Sequence, residues 1–570
     1  MRKFTNLLIV GLVLFMGQIV AQAQTSGSIS GTVTDASGAL VPGANVAVKG
    51  EAGQEYTAVT NKDGVYTVPG VPAGTPTYTV TVTVPGFKTS VVSKVKVDVA
   101  TPATVNFVLE AGKIEETVLI SAGAEVLQTE TATVGTAITG RQILETPIQS
   151  RDALDLITTL PGTTTTGVVR TSSINGLPKS ALTIQIDGVD VQDNFLKSSD
   201  GFFTFIRPRI DAIDEVTLST SNPGAESSGD GAIGIRFATR RGTDEYHGSG
   251  FWQHREEGLN TANFQNNYQN QPKSKLRLNQ FGASFGGPLP LPGFGEGGKA
   301  IHSGKGKAYF FFNYERFHLN EASPVRTRQV LSADAQNGIF RYGPNGSLSV
   351  NVFNLAGASG LVTTIDPTVA SMLSTIRDAT AIRGTFQALG TGNLWFRQPF
   401  TFSNSGEQRR RFLVLRLDGN ITKDHSIEGI FNDQPFRSNV DFLNGVDPTF
   451  PGITNAGTQN SDRRSLSIGL RSNFGSSVVN QFRYAQLAGW LGGNSRFELV
   501  GGTEFWDQTQ QGFNIALGSG LTGLTVRNAF SARSSPTRDF TNNTTWVKGN
   551  HTMTFGGQLK NIQTVSDSVN

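Results

Sequence analysis

Three observations predict a mainly β chain that ends in an antiparallel transmembrane β-barrel. From Tyr246 onward, short segments repeatedly differ in polarity between their two side-chain faces. No segment beyond the N-terminal leader reaches the roughly 18 consecutive apolar residues that a membrane-spanning helix needs. The leader itself carries the marks of export. Alternate side chains of a strand point to opposite faces, so one face can meet hydrocarbon while the other lines a wet interior. A closed barrel satisfies its backbone through neighbouring strands and needs no hydrophobic run to cross lipid.

The elements follow in chain order. Residues 1–23 hold Arg2 and Lys3, an apolar stretch from Leu7 to Val20, and then Ala21-Gln22-Ala23. This is the pattern of a secretory signal peptide with Ala21 and Ala23 marking the cleavage site. An exported chain with no cysteine is held by packing and sheet pairing rather than by disulfides. The net charge of +3 does not point to nucleic acid as a partner, and the apolar fraction of 37% suits a barrel.

Residues 26–111 are rich in Val, Thr, Gly and Pro. Strand-like runs at Ser28–Thr34, Ala44–Lys49, Val65–Pro69, Tyr78–Val84 and Ala103–Leu109 are separated by the turns DASG, NKDG, PAGTP and VPGF. Such spacing predicts a small antiparallel sandwich. Residues 112–125 form a polar linker around Glu116, Thr117, Val118, Leu119, Ile120 and Ser121, a β-prone stretch between Gly112 and Gly123. It reads either as a strand able to join the sheet edge of a partner or as the last strand of the sandwich.

Residues 126–242 mix helix and strand. Ser150 is placed to cap a helix with Asp152 in its first turn and Ala153, Leu154, Ile157 and Leu160 on one face, stopped by Pro161-Gly162. Strands are expected at Leu182–Asp187, Asp214–Ser219 and Ile233–Thr239. Asp187, Gly188, Asp190 and Asp193 make an acidic turn. Asp-Gly is a favoured turn pair, and the segment lacks the glycine and terminal Glu of a calcium loop, so turn chemistry is the preferred reading over a cation site.

From residue 243 to 570 the barrel strands come in pairs. In Phe412–Asn420, Leu413, Leu415 and Leu417 fall on one face and Arg416, Asp418 and Asn420 on the other. After ITKDH the pattern resumes at Ser426–Asn432. Ser465–Arg471 pairs with Val478–Leu487, and Asp539–Val547 with Thr552–Ile562. Earlier candidates are Tyr246–Arg255, Asn279–Phe285 and Ala308–His318, the last bearing the aromatic run YFFFNYERF, as in the girdles of outer-membrane barrels.

Whole stretches also resemble known families. GTVTDASGALVPGANVAV, TNKDGVYTVPGVPAG and TVTVPGFKT resemble the carboxypeptidase regulatory-like domain, a carbohydrate-binding-like or transthyretin-like sandwich. Catalysis does not come with that name, because a zinc peptidase needs His and carboxylate ligands and the first histidine after the leader is His247. IEETVLIS resembles a TonB box. TVGTAITGRQILETPIQSRDALDLITTLPGT, SINGLPKSALTIQIDGVDVQDN and IDAIDEVTLSTSNPGAESSGDGAIGIRFATRRGT resemble plug segments of Oar-like TonB-dependent receptors. EYHGSGFWQHREEGLNTANF, NQFGASFGGPLPLPG and HTMTFGGQLKN resemble their barrel. Arg240, Arg241 and Asp244 depart from the family's more usual Lys-Ser pair and Asn.

The resemblance implies a signal peptide, a periplasmic sandwich, a TonB-box-like tether, a plug over 126–242 and a partial barrel over 243–570. It implies an outer-membrane receptor for a bulky ligand of siderophore, oligosaccharide or peptide class, energised by an inner-membrane complex of TonB, ExbB and ExbD. Its partners would be that complex, outer-membrane lipid and an extracellular ligand, with no cofactor and no enzymatic activity. The competing class is a surface adhesion or carbohydrate-binding protein without transport. Plugged barrels have about 22 strands of roughly 9 to 11 residues, and only about nine are legible, less than half of such a barrel. The expectation is therefore a fragment of a longer reading frame.

Two motifs mislead. Gly282, Ser284 and Gly286 match G-x-S-x-G, but GPLPLPG follows and forbids the strand-to-helix turn that a nucleophile elbow needs. Gly293, Gly295 and Gly298 match G-x-G-x-x-G without a flanking strand and helix. The six histidines contain no i, i+4 pair, and no metal site is expected.

Overall fold

The computed structural model describes residues 26–50, 55–72, 77–97, 103–112, 117–121, 134–148, 150–164, 170, 172–221, 233–262, 264–268, 273–293, 300–389, 394–440, 442, 447–453, 457–475, 477–488, 496–501, 517–524, 530–548 and 551–569. The leader, with Ala21 and Ala23, lies outside them, as does Glu116.

The N-terminal sandwich is built from β1 (Ser26–Asp35), β2 (Asn45–Gly50), β3 (Glu55–Val59), β4 (Val65–Pro72), β5 (Tyr78–Thr83), β6 (Thr89–Val95), β7 (Ala103–Thr104) and β8 (Phe107–Leu109). One sheet runs β4-β1-β7, with β8 also on β1. The other runs β3-β2-β5-β6 and ends on β9 (Thr117–Ser121). Alternating valines from both sheets, among them Val33, Val46, Val48, Val80 and Val82, close a dry core. β-Branched side chains at period two pack well on a pleated surface, which is why these segments are strands. The Tyr66 hydroxyl donates to the Val105 carbonyl at 2.7 Å, so its buried polar end is satisfied.

The second unit is an α+β domain. β10 (Val134–Thr139) leads into α1 (Gly140–Glu145), and a 3₁₀ helix covers Ala153–Thr159. β11 (Leu182–Ile186), β12 (Val189–Asp190), β13 (Ile213–Ser221) and β14 (Ile233–Thr239) complete the sheet order β10-β13-β14-β11-β12. The expected helix face of Ala153, Leu154, Ile157 and Leu160 is buried, but the turn is 3₁₀ and Asp152 is its cap, its carboxylate accepting from the Leu154 N–H at 3.1 Å. Ser150 instead accepts from the Asp152 N–H at 3.1 Å, one step outside the helix.

Nine long strands follow, all antiparallel between neighbours: β15 (His247–Glu256), β16 (Leu276–Pro288), β17 (Ala308–Ala322), β18 (Ser405–Asn420), β19 (His425–Asp433), β20 (Arg464–Phe474), β21 (Val478–Leu487), β22 (Thr537–Lys548) and β23 (His551–Ile562). Five shorter segments, Phe436–Ser438, Gly457–Asp462, Arg496–Gly501, Phe530–Ser534 and Val565–Val569, continue several of them beyond a kink and bring the sheet to 14 strands. Every strand expected from polarity alternation is present. The sheet is a curved wall whose two ends, β15 and β23, are not joined among the described residues.

This wall inverts the usual burial rule. Trp252 is 72% exposed and Leu559 63%, while Glu315 is fully buried and Arg416 is 2% exposed. Leu415, Leu417, Ile427, Ile468, Phe482, Phe540 and Phe555 share the exposed face. An apolar outside over a charged inside is what hydrocarbon selects. At the end of the short turns Tyr246 stacks on Phe285 with ring centroids 5.7 Å apart, and Phe310 joins them. Among the described residues no helix is long and apolar enough to cross a membrane.

Short turns at ITKDH and between β20 and β21 mark one end of the wall, and long connections mark the other. The longest, 323–404, folds on itself. Its strands Arg326–Leu331 and Arg397–Phe402 and its helix Pro367–Ile382 share a core of Val330, Met372, Ile376, Phe400 and Phe402 with Phe450 and Leu524 from two other connections.

Candidate functional site

The α+β domain lies against the charged face of the wall, and the contact begins with the Asp187-Gly188 turn. Both residues have positive φ, 48° and 79°, the conformation of a two-residue type I′ hairpin, and they join β11 to β12. Gly188 relieves the crowding that a side chain would meet, since an added Cβ would come within 2.7 Å of Arg483.

The turn thereby aims three aspartates at three wall strands or their continuations. Asp187 accepts from the Thr239 N–H at 3.0 Å and faces Arg416 at 3.5 Å, while its carbonyl accepts from Arg483 at 2.8 Å and from Ser467 at 3.0 Å. Burial raises the Asp187 carboxyl above the ordinary carboxylate range, with Arg416 pulling the other way. Asp190 meets Lys560 at 2.6 Å, and Asp193 meets Arg533 at 2.7 Å. The acidic turn is thus a hairpin whose charges are matched by basic partners on the wall. Among the described residues no group of His, Cys, Asp or Glu is arranged to hold a metal.

Two further layers lock the same interface. Arg209 pairs with Glu315 at 2.5 Å, Gln280 donates to the same carboxylate at 2.5 Å, and the Arg209 guanidinium lies 4.3 Å from the Phe412 ring centroid. Where the α+β domain hands over to the first wall strand, Arg241 pairs with Glu428 at 2.9 Å. Glu428 also takes Arg416 at 2.7 Å and Arg483. Three guanidiniums converge on one carboxylate. Arg241, a departure in the sequence comparison, therefore holds the exit of the inner domain. A buried pair like these is costly to break on one side, because the partner left behind is an uncompensated charge.

The TonB-box-like residues fall elsewhere. Thr117, Val118, Leu119, Ile120 and Ser121 form β9, in parallel register with β6 from Thr89↔Thr117 to Ser93↔Ser121. The stretch extends the sandwich sheet as its edge strand, so the sandwich runs past residue 111. Of the misleading motifs, Ser284 lies within β16 and its hydroxyl is 2.7 Å from that of Ser249; the glycines beyond Gly293 lie outside the described residues.

Sequence reading missed Arg209, Glu315, Glu428, Arg483, Lys560 and Arg533 as partners of the inner domain. Glu315, Glu428, Arg483 and Lys560 each occupy a polar position in an otherwise alternating strand, which was the available signal. Which charge meets which depends on how the domain is seated.

A family model described as outer membrane beta barrel domain matches residues 238–570. The chain belongs to that family. A carboxypeptidase regulatory-like domain model matches residues 28–110 of this outer membrane barrel protein. Among solved structures, it is similar to the outer membrane transporter YddB from Escherichia coli, at 11% identity and a TM-score of 0.44, over 76% of this chain and 48% of that one. It is also similar to a mutant of the ferric enterobactin receptor PfeA from Pseudomonas aeruginosa, at 12% identity and a TM-score of 0.40, over 75% and 49%. A third is the ferric yersiniabactin uptake receptor FyuA from Yersinia pestis, at 10% identity and a TM-score of 0.34, over 76% and 61%. The chain spans about half the length of the first two. No curated protein matches it.

Proposed function

We propose that this outer membrane barrel protein is a TonB-dependent receptor, importing a bulky ligand of siderophore, oligosaccharide or peptide class. In this reading residues 126–242 are a plug and the sandwich faces the periplasm. The observation that carries it is the seating of the α+β domain on the charged face of the wall through Asp187, Asp190, Asp193, Arg209 and Arg241. A lumen closed by buried ion pairs opens only when work is done on the plug. The outer membrane holds no ATP, so that work comes from the inner membrane through TonB, ExbB and ExbD.

β9 is the handle in this scheme. It is an edge strand with one side on β6, and an extended segment of the energising partner can add to such an edge. Val118→Pro removes a backbone donor from the strand. In cells carrying the gene, the variant is expected to abolish ligand-depletion uptake while leaving the amount of protein in the membrane unchanged. Unaltered uptake would remove β9 from the mechanism.

A further inference from the structure

Above the inner domain, on the side of the long connections, the wall carries two guanidiniums without a direct carboxylate partner among the described residues. Arg410 of β18 and Arg463, just before β20, flank the same Phe436 ring, at 4.8 and 5.6 Å from its centroid. Neither has an ion-pair partner among the described residues. Arg410 donates to the Gln408 side chain at 2.9 Å and its buried Nε has no acceptor; Arg463, itself buried, donates to the Ser461 hydroxyl at 2.9 Å. Neighbouring cations are already matched, Arg533 by Asp193 at 2.7 Å and Arg207 by Asp152 at 3.7 Å. Glu321 reaches Arg410 only through Gln408, which donates to its carboxylate at 2.6 Å, so it offsets one of the two charges and the cluster keeps an excess of one positive charge.

Alternation along β18 places Arg410 on the same face as Phe412, Val414 and Arg416, which is the lumen. Phe203 of the inner domain lies 5.7 Å from both the Arg463 and Arg533 guanidinium carbons and closes the cluster from below. Aromatic faces hold guanidiniums flat, and a flat, partly dehydrated fork binds carboxylate or phosphate oxygens two at a time. Like charges gathered away from water without a counter-ion are unfavourable, so the arrangement is completed by an anion.

We propose that Arg410 and Arg463 form an anion-binding site at the floor of the outer lumen, for a ligand bearing negative charge on carboxylate or phosphate groups. The site rests on the import reading for its role, since it gives the imported ligand a charge. Its existence is tested independently of transport.

The test uses the full chain purified in detergent, with citrate and pyrophosphate as probes and maltose as the neutral control, followed by calorimetry and thermal melting. At least one anion is expected to bind saturably and maltose not to bind. Arg410→Gln and Arg463→Gln should each weaken that binding at least tenfold. Arg437→Gln, which removes a cation already paired with Asp462 at 2.6 Å, should leave it unchanged. Without anion, Arg410→Gln should melt no lower than the parent, because it removes one of several like charges gathered together. Arg410→Lys keeps the charge without the fork and should bind with intermediate affinity. Citrate alone binding names a carboxylate ligand, and pyrophosphate alone a phosphate ligand. Equal binding by the parent and both Gln variants overturns the site, as does a folded parent that binds neither anion. Uptake that ignores Val118→Pro would count against import and leave the site standing, whereas absent anion binding would remove the site and leave import standing.

Discussion

Arg416 shows how much one side chain can carry. Its guanidinium donates to the Thr239 carbonyl at 3.0 Å and pairs with Asp187, Asp418 and Glu428, tying two wall strands to the inner domain. Arg416→Met leaves those carboxylates without their shared cation, a loss of about 3–5 kcal/mol for a buried pair. The expected outcome is a looser inner domain, read as faster hydrogen exchange in β11 and β12 than in the sandwich. Gly31 carries a different constraint, since an added Cβ would lie 1.8 Å from the Val105 carbonyl oxygen. Gly31→Ala should lower the stability of the sandwich by about 1–3 kcal/mol, the usual range for overpacking, measurable by urea unfolding. Asp35 adds a pH term. The Ser37 hydroxyl first, and then the Ala39 N–H, hold its carboxyl below the ordinary 3.8. Its contribution is present above that unfolded value and lost as pH falls through the lower folded one. The acid-side loss of sandwich stability should therefore shrink in Asp35→Ala, as seen in melts between pH 7 and 2. The roles of Arg416 and Gly31 are not visible in sequence, because each depends on an atom brought from tens of residues away, whereas Asp35 acts within its own turn.

At the scale of elements, the strands were legible and their company was not. Leu413, Leu415 and Leu417 alternate with Arg416 and Asp418, and the local period alone put leucines out and charges in. β3 and β6 escaped notice: EYTAV is short with Val59 on its exposed face, and TSVVSKV has no clean alternation. For β9, two readings were open at 117–121, and the parallel pairing with β6 is a long-range fact that propensity does not encode. The helix at Ala153–Thr159 is 3₁₀, and Asp152 rather than Ser150 caps it. The connection 323–404 drew no assignment from sequence, yet it carries strands, a helix and a core of its own. Its anchor is Asp447, which pairs with Arg326 at 2.8 Å and accepts from Asn404 at 2.8 Å. Asp447→Ala should free this element, with limited proteolysis between residues 323 and 404 rising several-fold while the wall strands stay protected.

Across the whole molecule, the arrangement predicts that holding the inner domain to the wall stops passage. The chain has no cysteine, so Asp190→Cys with Lys560→Cys gives a single reactive pair, normally bridged by an ion pair of 2.6 Å. A short bismaleimide cross-link in that double variant is expected to block uptake in cells, whereas the same reagent on either single variant should not. By itself the sequence determined the long wall strands, the side of each that meets lipid, most strands of the valine-rich sandwich, and the Asp187-Gly188 turn. All of these follow from side-chain period and local backbone preference. Only the tertiary structure decided which wall cation answers each aspartate, that β9 lies on the sandwich, and that Arg410 and Arg463 share the Phe436 ring without a direct ion pair. Those are choices between chemically equivalent partners, and a charge has no preference among equal opposites until the packing of apolar faces has set the distances.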